Sequence, residues 1–174
     1  YINFVSDVMP ALALGLSRSE AGVMQQPPRD PKESILQRRH WLAIGGYSAL
    51  IAGSVLSAFA IALLVLNLEP AQAITISFLC FGFARLWHVF NMRSVESPLF
   101  INEVTRNRYV WIAILIGAVL LLAAAYVPVL AEVLSVQVLS GQEWLLCLSF
   151  SVLPLVIVQL SKQVGVRWET APRR

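Results

Sequence analysis

Trp41-Leu-Ala-Ile-Gly-Gly-Tyr-Ser-Ala-Leu-Ile-Ala-Gly-Ser-Val-Leu-Ser-Ala-Phe-Ala-Ile-Ala-Leu-Leu-Val-Leu66 runs from end to end without an acidic or basic side chain. A helix rises 1.5 Å per residue, so about 20 apolar residues cross a hydrocarbon core of about 30 Å. The block exceeds that length and reads as a membrane-crossing helix. Three more follow, over roughly Ala71 to Phe90, Tyr109 to Ala131 and Trp144 to Leu160. Tyr1 to Leu16 is apolar too but too short to span alone, and it reads as the second half of a crossing helix whose beginning lies upstream. The predicted fold class is all-α, an integral membrane helical bundle of half a helix plus four transmembrane helices.

Composition agrees. Hydrophobic residues make up 57% of the chain and charged residues 13%, where soluble domains carry about a quarter charged. The net charge of +3 does not imply a nucleic-acid partner, because the basic residues are sorted by loop. Ser17 to His40 carries Arg18, Arg29, Lys32, Arg38 and Arg39; Asn91 to Arg108 carries Arg93, Arg106 and Arg108; the tail carries Lys162, Arg167, Arg173 and Arg174. The connections Asn67 to Pro70 and Glu132 to Glu143 carry none. This alternation predicts that the basic loops and the C-terminus face the cytoplasm of a multi-pass protein of the cell membrane. The expected organisation is a half-helix over 1–16, a cytoplasmic Pro-rich loop over 17–40, a four-helix transmembrane region over 41–161 and a cytoplasmic tail over 162–174. Cys80 and Cys147 lie inside apolar blocks without metal-ligand spacing and are expected to be inert buried thiols.

Within the blocks, Asp7, Arg85 and His88 are the groups that carry charge or titrate near neutral pH, and a charge at the bilayer centre costs about 2.5 to 3.5 kcal/mol on insertion scales. Asp7 lies roughly 15 Å of helix from Arg18, beyond the reach of its short side chain to water. Asn3 and Ser6 accompany it on or near one face. Pro10 has no N–H for the carbonyl of Ser6, so a helix break there exposes a further oxygen. Carboxylate, amide, hydroxyl and free carbonyl oxygens suit a hard cation, and interrupted helices near the midplane build ion sites in transporters. An interhelical hydrogen-bond cluster is the competing reading.

Arg85 is expected to lean toward the N-terminus of its own helix, as helical side chains do, and to border the Asp7 cluster as a fixed positive charge; snorkelling to the nearer membrane surface is the alternative. Whether it touches Asp7 stays open. His88, beside Trp87, is expected to be an interfacial aromatic anchor. Gly45, Ala49 and Gly53, continued by Ser57, put small side chains on one face and are expected to pack against another helix.

Asn3-Phe-Val-Ser-Asp-Val-Met-Pro-Ala-Leu-Ala-Leu-Gly15 resembles the sixth transmembrane helix of type II P-type ATPases, the calcium-pump group, whose pattern is Asn-x-x-Thr-Asp-x-x-Pro-Ala-x-Ala-Leu, with Ser6 in place of threonine. Val23-Met-Gln-Gln-Pro-Pro-Arg-Asp-Pro-Lys-Glu33 is similar to the loop that follows that helix, and Leu86-Trp-His-Val-Phe-Asn-Met-Arg-Ser94 to the end of the eighth helix in bacterial members. The resemblance implies that the four crossings are the seventh to tenth helices and that Asn3, Ser6 and Asp7 are ion ligands. Met24, Pro27, Pro28 and Arg29 would then dock on the phosphorylation domain.

Arg85 stands where the sarcoplasmic-reticulum-type pump has a glutamate ligand, and a guanidinium there implies one ion fewer per cycle. The implied function is part of the transmembrane ion site of an ATP-driven pump exporting a cation, calcium foremost. A monovalent-cation pump is the alternative, and a non-catalytic membrane scaffold is a rival of another class. The implied partners are the lipid bilayer and the remainder of the pump. ATP and magnesium would act only through domains that this chain lacks, since it holds no Asp-Lys-Thr-Gly motif and no nucleotide-binding segment.

Overall fold

The computed structural model of the chain describes residues 1–16, 38–92, 102 and 104–163. Among these the regular elements are all helices: α1 (Phe4–Gly15), α2 (Arg38–Leu64), α3 (Pro70–His88, continued as a 3-10 turn over Val89–Met92), α4 (Arg108–Tyr126), α5 (Pro128–Leu134) and α6 (Gly141–Gln163). The four long helices, α2, α3, α4 and α6, are each long and apolar enough to cross a membrane. Met24, Pro27, Pro28 and Arg29 lie outside the described residues, as does most of the 17–40 loop.

Three of the boundaries that differ from expectation have a local reason. Residues 38–40, expected in the loop, already belong to α2. The block from Tyr109 to Ala131 is two helices, because Pro128 disfavours helical backbone at the preceding residue and Val127 is extended at φ −86°, ψ 115°. The chain restarts at once as α5, with Pro128 in a first turn where its missing N–H is no loss, and stops at Ser135 in a left-handed conformation. The start of α6 lies ahead of Trp144 because Ser140 and Glu143 form a capping box: the Ser140 N–H donates to Glu143 Oε2 at 2.7 Å and the Glu143 N–H to Ser140 Oγ at 3.4 Å.

α3 is the central helix. It packs on α2, α6 and α4, and Ala73, Ile76, Leu79, Cys80, Phe83 and Leu86 are buried along it. Both thiols are buried, Cys147 in the same core. Large apolar side chains of α2, α4 and α6, such as Leu56, Leu115 and Leu145, point outward, the pattern of a surface solvated by lipid.

Glycines knit α3 to α4. A Cβ on Gly82 would sit 2.6 Å from Leu121, and one on Gly117 would sit 2.7 Å from Leu86. Each helix thus offers a glycine that receives the other's leucine, four residues from the leucine it contributes. The small-residue face expected to pack on α2 does not serve this bundle. Gly45, Ala49 and Gly53 are exposed, with nothing near a Cβ on either glycine, and α2 instead buries Ala43, Tyr47, Ser54, Ala58 and Ala62. Periodicity identifies a smooth face but not which neighbour covers it.

Candidate functional site

α1 begins as a π-turn, Phe4–Val8, and tightens into α-helix at Met9. Pro10 sits in the first turn of the tighter stretch. The interruption expected at Pro10 therefore takes the form of a change of helical pitch, not of unwound backbone, with Met9 at φ −66°, ψ −48°. A π-turn is a usual way to absorb a broken ladder, and it is frequent at functional sites.

Asp7 lies in that turn and Asn3 just before it. Arg85, from the last turn of the bundle's central helix, reaches both: Nη1 donates to Asn3 Oδ1 at 2.8 Å, and Nη2 pairs with the Asp7 carboxylate. Its guanidinium also lies 5.1 Å over the Phe81 ring, a cation–π contact. The side chain turns toward α1 and away from the Met92 end of its helix, so it is not snorkelling. The Asp7 side chain remains 45% exposed, on a helix whose Phe4, Val8 and Leu12 also face outward. Ser6 is buried and its hydroxyl donates to the Ile2 carbonyl at 2.8 Å, leaving its oxygen lone pairs as acceptor or ligand. Among the described residues no three of His, Cys, Asp and Glu converge. Any cation held here would be ligated by one carboxylate with amide, hydroxyl and carbonyl oxygens, the donor set of a hard ion.

A second polar cluster closes the Met92 end. Lys162 is buried and its ammonium donates to the Asn91 carbonyl at 2.6 Å. Gln159 donates to the Phe90 carbonyl and to Asn91 Oδ1, both at 3.1 Å, and the Asn91 amide meets His88 Nδ1 at 3.1 Å. The Tyr47 ring packs edge-on against His88, centroids 5.0 Å apart. The expected interfacial anchor is therefore corrected: His88 turns inward to this cluster, and Trp87 donates to Ser151 at 3.3 Å. Asn91, Gln159 and Lys162 escaped the sequence reading because each stands at the end of a block, where polar residues need no explanation.

The description "Cation transporting ATPase, C-terminus" matches residues 1–164. The chain belongs to that family. A calcium-transporting ATPase of Bacillus subtilis is 31% identical over 161 residues, which is 91% of this chain and 18% of the relative. One from Listeria monocytogenes is 30% identical over 172 residues, 94% of this chain and 18% of the relative. Calcium-transporting ATPase type 2C member 1 of Homo sapiens is 28% identical over 164 residues, again 94% and 18%. The chain thus spans about a fifth of the length of these relatives.

Proposed function

We propose that this domain supplies part of the transmembrane cation site of an ATP-driven pump that exports calcium, with Asn3, Ser6 and Asp7 as ligands. The observation that carries the reading is a carboxylate and an amide side by side on a pitch-changed membrane helix, both held by a single guanidinium. Asp7 supplies the charge, Asn3 the amide oxygen, and Ser6 a hydroxyl together with the carbonyl that Pro10 leaves without its usual donor. The named activity of the relatives supports calcium as the cargo.

Arg85 occupies the remaining space as a tethered cation. It neutralises Asp7 between ions, so an empty site does not leave a bare carboxylate in a low-dielectric interior. It also takes the place of one transported charge, which makes one ion fewer per cycle the stoichiometry of choice. ATP and magnesium act through the phosphorylation and nucleotide domains of the whole pump, which would reach this domain through the loop carrying Met24, Pro27, Pro28 and Arg29. The basic loops and C-terminus face the cytoplasm.

Ion-stimulated ATPase activity of the full-length parent pump tests the reading, with calcium, sodium, potassium and manganese compared and Asp7→Asn as the paired variant. Calcium stimulation that Asp7→Asn abolishes is the expected result. Stimulation by a monovalent ion alone would move the cargo to that class, the reading that the loss of an acidic ligand at Arg85 favours. Activity indifferent to Asp7→Asn would overturn the ion site and leave a scaffold.

A further inference from the structure

The ion-ligand helix lies along α4 in antiparallel fashion, touching it at three heights. At one end the Tyr1 hydroxyl donates to the Leu120 carbonyl at 2.6 Å. In the middle the Val5 carbonyl comes within 3.4 Å of where a Cβ on Gly117 would stand. At the other end the Asn107 amide donates from Nδ2 to the Ala13 carbonyl at 2.8 Å, and below it Ala13 packs with Val110, Ala113 and Ile114 in a small apolar cluster.

Asn107 makes a second bond that fixes which way its amide points. It is the N-cap of α4, and its Oδ1 accepts the Tyr109 N–H at 2.9 Å. With the oxygen committed there, the NH2 group must face the Ala13 carbonyl, one of the last acceptors of α1. One side chain therefore joins the N-terminus of α4 to the C-terminus of α1.

We infer that Asn107 is a positioning residue for the cation site, setting the height of α1 on α4 and with it the reach of Asn3, Ser6 and Asp7 toward their ligand. The inference rests on the pump reading above. α4 is suited to the role because it locates both halves of the site: Gly117 receives Leu86, the neighbour of Arg85, and the Val5 backbone of the ligand helix approaches the same glycine. Asn107 then prevents α1 from sliding along that contact. A shift of about 1 Å is enough to spoil a ligand set that depends on preorganised geometry.

Two substitutions separate the joint from the cap. Asn107→Asp retains an N-cap acceptor as good as asparagine but presents a carboxylate to the Ala13 carbonyl, and Asn107→Ser retains a neutral cap too short to bridge. In the full-length parent pump, both should raise the calcium concentration for half-maximal ATPase stimulation by about threefold or more, with maximal rate within about twofold and thermal unfolding close to wild type. A weakened cap alone would lower stability without moving that concentration. If the aspartate variant does not fold, the serine variant decides. Half-stimulation unmoved or lowered in a folded variant overturns the inference alone. A wild-type pump that no cation stimulates overturns the pump reading and this inference with it.

Discussion

Two prolines on membrane helices raise the same question at the residue scale and receive different answers. Pro154 lies inside α6 and cannot serve the carbonyl of Phe150 four residues back. The Ser54 hydroxyl of α2 donates to that oxygen at 2.5 Å, so the broken rung becomes an interhelical bond. Pro10 stands in the same relation to Ser6, but there the helix widens into a π-turn and brings Asp7 and Asn3 to one guanidinium. The arithmetic that pointed to Ser6 from Pro10 would equally have pointed to Phe150 from Pro154. It could not name Ser54, which is distant in sequence and ordinary in composition. Arg85 is the residue whose removal should be most informative. Its pairing competes with the cargo for Asp7, and a bond to a charged group contributes about 1.5–3 kcal/mol. Arg85→Gln in the parent pump should therefore lower the calcium concentration for half-maximal ATPase stimulation by about tenfold, read in the same titration as wild type. An unchanged midpoint would mean that the pair relaxes before the ion arrives.

At the scale of elements, α3 and α4 show why small residues matter in a bilayer. Lipid is as apolar as leucine, so helices associate through close packing and interhelical hydrogen bonds. The reciprocal seats of Leu121 on Gly82 and Leu86 on Gly117 supply that packing, and both leucines are fully buried. Gly82→Ala should cost about 1–3 kcal/mol by overpacking, visible as lower resistance to thermal or denaturant unfolding in detergent. Gly45→Ala on the exposed face of α2 is the contrast; in the isolated domain it should cost little, because nothing lies within 4 Å of the added carbon. The sequence reading passed over the glycines that join α3 to α4 because it looked for regular spacing on one helix. The productive pairs are one glycine and one leucine on each of two helices, a match that appears only when the helices are set side by side. Pro128 misled in the opposite sense: its effect on Val127 is local and was readable, yet the apolar run hid it.

For the whole molecule, the alternation of basic loops predicts a topology that can be measured directly. Asn67 lies in the short turn between α2 and α3, with φ at 50°, on the side expected to face outward. A cysteine at position 67 should be labelled by a membrane-impermeant maleimide in intact cells, and one at Arg106 only after lysis. The native Cys80 and Cys147 should stay silent, since both are fully buried. Labelling in the reverse order would invert the orientation and place the basic loops outside. Membrane residence, the four crossings and the polar trio on the first helix follow from the sequence alone, because the bilayer penalises charge and demands length in ways that act on one segment at a time. The partners of those polar residues were decided by tertiary structure. Arg85 binding Asn3 and Asp7, Lys162 capping α3 and Asn107 tying α1 to α4 each join residues at least 71 positions apart, and such contacts exist only once packing has fixed how the helices sit against one another.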